Sequence, residues 1–191
     1  ASQIYGASLT NVASSLTLVM QPSDVTNQQG MEFFGCVVTS FTLSADATTE
    51  GGRYKFSATL QTGKVPDLAS TAEPTITPYA NTTDVFLSSA SGIKVFGTDS
   101  IMQSFSTTIE NPAVFTGFSS TGYQVVSRGA EIAVTAESTV KYDANTKGLI
   151  NTFDTQTSAL AGNSLVITNN NAYGVLIDNA VLTDVSLNEG D

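Results

Sequence analysis

The chain has 191 residues, 41% apolar and only 13% charged, with a formal charge of −10, no histidine, no tryptophan and one cysteine, Cys36. A chain of this length with no break in composition points to one compact domain over 1–191, and a lone cysteine excludes an internal disulfide, so Cys36 reads as a small buried hydrophobe. Seven basic residues against seventeen acidic ones exclude a protein that holds nucleic acid by neutralising phosphates.

Residues 1–30 form an N-terminal arm. It has no basic leader, and no apolar run in the chain approaches the roughly 18 residues of a membrane helix, so the expectation is a soluble protein with no visible export signal and no membrane partner. The chain starts at Ala1 and not at a methionine, which leaves processing or further upstream residues open.

A hairpin is expected over 33–63. From Val37 the apolar residues take odd positions (Val37, Phe41, Leu43, Ala45) and Ser40, Thr42 and Ser44 the even ones, a period of two. The returning segment sets Tyr54, Phe56, Ala58 and Leu60 against Arg53, Lys55, Ser57 and Thr59, with "ADATTEGG" between them supplying turn residues. One face is apolar and packs on a core; the other is polar and faces water.

Residues 61–83 carry Pro66, Pro74 and Pro78 with little periodicity and read as a long extended loop, a feature uncommon in compact domains and often used for contact. Asn81-Thr82-Thr83 matches a glycosylation sequon, which means little without an export signal. A second β unit spans 93–142. Its start, "VFGTDSIMQSFSTTIEN", echoes "FFGCVVTSFTLSADATT" of the hairpin, a weak sign of duplication. Strand 101–109 places Ile101, Phe105 and Ile109 together, and its partner 130–140 sets Ile132, Val134, Ala136 and Val140 against Glu131, Thr135, Glu137 and Thr139.

The one helix is expected over 146–160, with Leu149, Ile150 and Phe153 on one face and Thr146 or Asp143 as its cap. "DANTKGLINTFD" also resembles a calcium loop, but Lys147 stands where an oxygen ligand belongs, so a turn and helix cap is the preferred reading and no metal is expected. Short strands at "SLVITN", "YGVLID" and "AVLTDVSL" close the chain within 164–187. These elements make the chain mainly β, with one α-helix and a long extended loop.

Reactive equipment is scarce. The absent histidines remove the Ser-His-Asp arrangement and most transition-metal sites, no phosphate-cradling glycine motif occurs, and no two carboxylates can be paired from sequence. The expectation is a protein that is not an enzyme and has no cofactor.

Taken in order, "FFGCVVTSFTLS…GGRYKFSATLQTGK", "MQSFSTTIEN", "EIAVTAESTVKYD" and "NSLVITNNNAYGVLIDNAVLTDVSL" resemble bacteriophage tail tube proteins from about Gly30 to Leu187. The carrying motifs are structural: Gly-Cys then Ser-Phe-x-Leu, a Gly-Lys closing the hairpin, an Asn closing the next strand, and a Tyr-Asp before the helix. The resemblance implies the fold class, two packed antiparallel β-sheets (a sandwich or partial barrel) with one flanking α-helix and a long extended loop, assembling as rings, usually hexameric, that stack into a tube for DNA ejection. It implies the chain itself and other tail proteins as partners, double-stranded DNA passing without specific binding, and a place in the virion tail after assembly in the host cytoplasm.

On that resemblance, Ser40, Thr42, Ser44, Glu131, Thr135 and Glu137 are candidates to line the lumen. Arg53 and Lys55 are expected to meet acids such as Asp46 or Glu50 at the subunit boundary. The loop with Pro66, Pro74 and Pro78, and secondly the N-terminal twenty residues, are candidates for contact between stacked rings. Other non-catalytic assembly proteins are the alternative: a tail terminator, a decoration protein or a secretion-system tube subunit. A secreted carbohydrate-binding or adhesive sandwich is less favoured, because no aromatic platform is visible.

Overall fold

The computed structural model describes residues 16–20, 30–49, 51–69, 87, 90–118, 120, 122, 124–128, 131–156, 164–169 and 173–187. Twelve strands occur among them: β1 (Leu16–Met20), β2 (Gly30–Asp46), β3 (Lys55–Thr62), β4 (Asp67–Ala69), β5 (Gly92–Val95), β6 (Thr98–Asp99), β7 (Met102–Glu110), β8 (Ala113–Phe118), β9 (Gln124–Arg128), β10 (Ala133–Val140), β11 (Leu165–Asn169) and β12 (Tyr173–Ile177). One helix, α1, spans Gly148–Thr155. The strands form two main antiparallel sheets, neither closed into a barrel, and a separate β8–β9 ribbon. This is the mainly β class expected from the alternation, with the two sheets that the resemblance implies.

The 17-residue β2 is the spine of the larger sheet. Along one edge it pairs with β1 (Met31 to Cys36) and then with β7 (Ser40 to Asp46). Its other edge takes β4 (Gly30 to Glu32) and β3 (Cys36 to Ser44). The gap between β1 and β7 is filled by Asn111, whose N–H donates to the Thr39 carbonyl (2.8 Å) and whose Nδ2 donates to the Val38 carbonyl (3.0 Å). Here the strict alternation fails. Gly35 has φ +63°, which glycine adopts without steric cost, and the register against β3 slips between Val38 and Ser40. Cys36 and Val37 are consequently both buried although adjacent. At the other end of β3, Thr62 Oγ1 donates to the Phe34 carbonyl (2.7 Å) and Lys64 Nζ lies 4.9 Å from the Phe34 ring centre.

In the smaller sheet the order is β12-β11-β5-β6. β5 and β6 meet across a two-residue turn in which Phe96 (φ +46°) and Gly97 (φ +77°) are both left-handed, the geometry that matches strand twist. The core lies between this sheet and one end of the larger one: Ala45, Leu87, Val95, Met102, Phe105, Leu165 and Ile167 form one buried cluster, with Leu43, Tyr54 and Leu149 packed against it. Tyr54 meets Phe105 edge to face, centroids 5.5 Å apart. Each such large side chain contributes about 1.5–3 kcal/mol by leaving water.

Three expectations are corrected here. Asp67–Ala69 is a strand on β2, inside the stretch expected to be loop, because its backbone meets the open edge of Gly30–Glu32. Neither Asp143 nor Thr146 caps α1, which follows Lys147 with no side-chain cap. They cap each other one turn earlier: Asp143 Oδ1 accepts from the N–H of Asn145 (2.8 Å) and Thr146 (3.1 Å), and Thr146 Oγ1 accepts from the Asp143 N–H (2.9 Å). Finally, "AVLTDVSL" forms no strand. Asn179 turns the chain with φ +54°, and Gln156 holds Leu182 instead, its Oε1 accepting from the Leu182 N–H (3.0 Å) and its Nε2 donating to the Leu182 carbonyl. The expected helix residues beyond 156 lie outside the described residues.

Candidate assembly surface

Between Ser40 and Asp46 the larger sheet is four strands wide in the order β3-β2-β7-β10, each antiparallel to the next. Its registers build rows of side chains that share a face. One face carries Leu43, Phe56, Thr107 and Ala136 in one row and Phe41, Ala58, Ile109 and Val134 in the next, and its Ala45 and Phe105 enter the core. The other face has the rows Lys55-Ser44-Ser106-Glu137, Ser57-Thr42-Thr108-Thr135 and Thr59-Ser40-Glu110-Ala133. Short hydroxyl side chains dominate that face. They bond along the rows: Ser40 Oγ donates to Glu110 Oε1 (2.9 Å), and the hydroxyls of Thr42 and Thr108 lie 3.0 Å apart.

Of the six residues expected on one polar surface, Ser40, Thr42, Ser44, Thr135 and Glu137 fall in these rows; Glu131 is exposed and lies two residues before β10. The expectation left out Ser106, Thr108 and Glu110 of β7, although the alternation in "MQSFSTTIE" carries them. Lys55 stands in the same row as Ser44, with Arg53 exposed just before β3. Asp46 sits at the end of β2, where its Oδ1 accepts from the Thr48 N–H (2.7 Å), the Thr48 hydroxyl (2.7 Å) and the Thr49 N–H (3.2 Å). Those bonds, the Thr48 hydroxyl first, hold its carboxyl at about 2 against an ordinary 3.8. The Asp143 carboxyl is likewise lowered, by the N–H of Thr146 and then of Asn145. Pro66 is half-buried between β3 and β4, while Glu50, Pro74 and Pro78 lie outside the described residues.

Both outer strands are open. Among the described residues β3 pairs only with β2 and β10 only with β7. β10 is exposed from Ala133 to Thr139 on both faces, and on the apolar face Phe56 is 76% and Val134 51% exposed. The open edges also match in polarity. Residues whose side chains lie on the apolar face, Phe56 and Ala58 in β3 and Val134 and Ala136 in β10, turn their peptide N–H and C=O outward, because the alternate residues pair inward with Ser44, Thr42, Thr108 and Ser106. Among the described residues no group of three His, Cys, Asp or Glu is placed to hold a metal ion, and no helix is long and apolar enough to cross a membrane.

Open strand edges, a continuous hydroxyl face and an apolar face half covered by its own core, all among the described residues, are the features of a β-structural subunit. The chain matches the family model of phage tail tube proteins over residues 2–189 and belongs to that family, as its motifs suggested. It is therefore a structural component of the virion tail. No curated protein and no solved structure matches it.

Proposed function

We propose that copies of this chain join edge to edge, β10 to β3, into rings that stack as the tail tube and enclose a channel for DNA ejection, with the hydroxyl face inward. The observation that carries this is the pair of open edges, among the described residues, on a sheet of four antiparallel strands. With an even number of strands, head-to-tail copies meet antiparallel, so a ring leaves no exposed ladder to recruit stray chains. Six copies would give 24 strands; at a spacing of about 4.8 Å and a tilt of about 40° the barrel is roughly 45–50 Å across between backbones, enough for a duplex after side chains are added. A wall mostly of hydroxyls and carboxylates, with Lys55 as the one cation in its rows, offers phosphate few counterion-releasing contacts, so DNA slides with little sticking. The loop with Pro66, Pro74 and Pro78, and the N-terminal twenty residues, are proposed to join successive rings, and Arg53 and Lys55 to meet acids near the subunit boundary.

Negative-stain microscopy of the purified chain tests the reading: stacked rings are expected, single rings would favour a terminator, and a persistent monomer would count against assembly. Glu131→Lys with Glu137→Lys tests the wall. Slower ejection is expected, and ejection at the unaltered rate would mean these side chains do not face the DNA.

A further inference from the structure

The seam between subunits has a register, and the subunit's own handedness sets it. Ala47 donates its N–H to the Gln103 carbonyl beside β7, and the Thr39 carbonyl accepts from Asn111 on the same side. Odd residues of β2 therefore turn their peptide groups toward β7, and their side chains (Phe41, Leu43, Ala45) lie on the apolar face. For L-residues this fixes the hand: seen from the apolar side with β2 running upward, β7 lies to its right. From left to right the strands are then β3, β2, β7 and β10, and the next copy's β3 follows β10.

Strands in a closed barrel coil right-handed, so from outside they lean to the right as they rise. A row followed rightward across one subunit therefore enters the next at a lower level. The displacement must be an even number of residues, or the hydroxyl face would turn outward in alternate copies. Because each copy adds four strands, the tilt depends on this displacement and not on the number of copies. Displacements of two, four and six residues give tilts of about 19°, 35° and 47°, and only four falls within the usual range of about 35–45°.

We infer that β10 of one subunit pairs antiparallel with β3 of the next at a stagger of four residues, setting Glu137 opposite Thr59 of the partner subunit. This rests on the ring proposed above. Opposite charges favour another alignment, since Lys55 and Glu137 share a row and at zero stagger Glu137 would meet Lys55 of the partner subunit. Zero stagger, however, needs untwisted strands parallel to the tube axis, and an ion pair between exposed side chains is too weak to impose that. The four-residue stagger instead carries Lys55 of the partner subunit past the end of β10 at Val140.

Cysteine cross-linking separates the alignments. Glu137 and Thr59 face the hydroxyl side, where the seam's peptide groups do not pair, so their Cα atoms would be about 4.5 Å apart, within disulfide reach. The unshifted partner would be about 13 Å farther along the strand, out of reach. Within one subunit three strand spacings separate Thr59 from Glu137, which rules out an internal bridge. With Cys36→Ala as background, Thr59→Cys/Glu137→Cys under mild oxidation is expected to give a ladder of covalent multimers on a non-reducing gel, and Lys55→Cys/Glu137→Cys none. A ladder from the Lys55 pair alone, or from neither pair while tubes are visible, overturns the register and leaves the ring standing. No ladder and no tubes overturns both.

Discussion

Centre and edge of the four-stranded sheet differ although they carry the same alternation. On the apolar face, Ala45 of β2 and Phe105 of β7 are each 3% exposed, while Phe56 of β3 is 76% and Val134 of β10 is 51% exposed. Side-chain direction alone does not bury a residue; it needs a neighbouring strand on each side and a layer above. The centre has both within one chain. At the edges, what remains open is what a second copy would supply.

The contrast should be largest in the core. Phe105→Ala is expected to destabilise the monomer by about 3–5 kcal/mol, whereas Phe56→Ala, which loses chiefly its stacking on Phe41 at 6.3 Å, should cost about 1 kcal/mol and act mainly on assembly. Urea titration and sedimentation read the two effects, and equal losses of monomer stability would break the comparison. Proline placement sharpens it within one strand. Thr135→Pro removes a ladder bond to Thr108 and should lower the urea midpoint clearly, while Ala136→Pro removes an outward N–H and should leave the monomer folded but unable to polymerise.

Asn111→Ala strips the Val38 carbonyl of its side-chain donor and should cost about 1–2 kcal/mol in a thermal melt. Thr107 is a central position that breaks the apolar pattern, buried with its Oγ1 unpartnered. Thr107→Val should therefore raise stability by about 1 kcal/mol. The smallest effect concerns the turn at the end of β2. The Asp46 carboxyl is lower folded (about 2) than in its ordinary state (3.8), so its stabilisation is complete above about pH 4 and fades as pH falls toward 2. Asp46→Asn should lower Tm at pH 7, and the gap should narrow as the pH falls from about 4 and close only below about pH 2.

Much of this was legible because sheet alternation has a period of two. The hairpin of β2 and β3, the pairing of β7 with β10, and the common face of Ser40, Thr42, Ser44, Thr135 and Glu137 all follow from it. Alternation says nothing about what lies at a strand's edge. That is why the pairing of β1 and β4 along the first half of β2, and the β8–β9 ribbon, were not anticipated. Local backbone chemistry hid the rest. "AVLTDVSL" has the composition of a strand, but a left-handed Asn179 and the amide of Gln156 hold it apart from any ladder. Asp143 and Thr146 have the right side chains for a helix cap and use them on each other.

In the proposed ring, the four-strand repeat also makes the bore a discrete quantity. Every copy inserted into such a ring brings the same width of sheet at the same tilt, so diameters can differ only in increments of about 7.5–8 Å. A single well-measured cross-section would thus count the chains in the ring, and a change in calibre between conditions would mean gain or loss of whole subunits rather than a stretched wall.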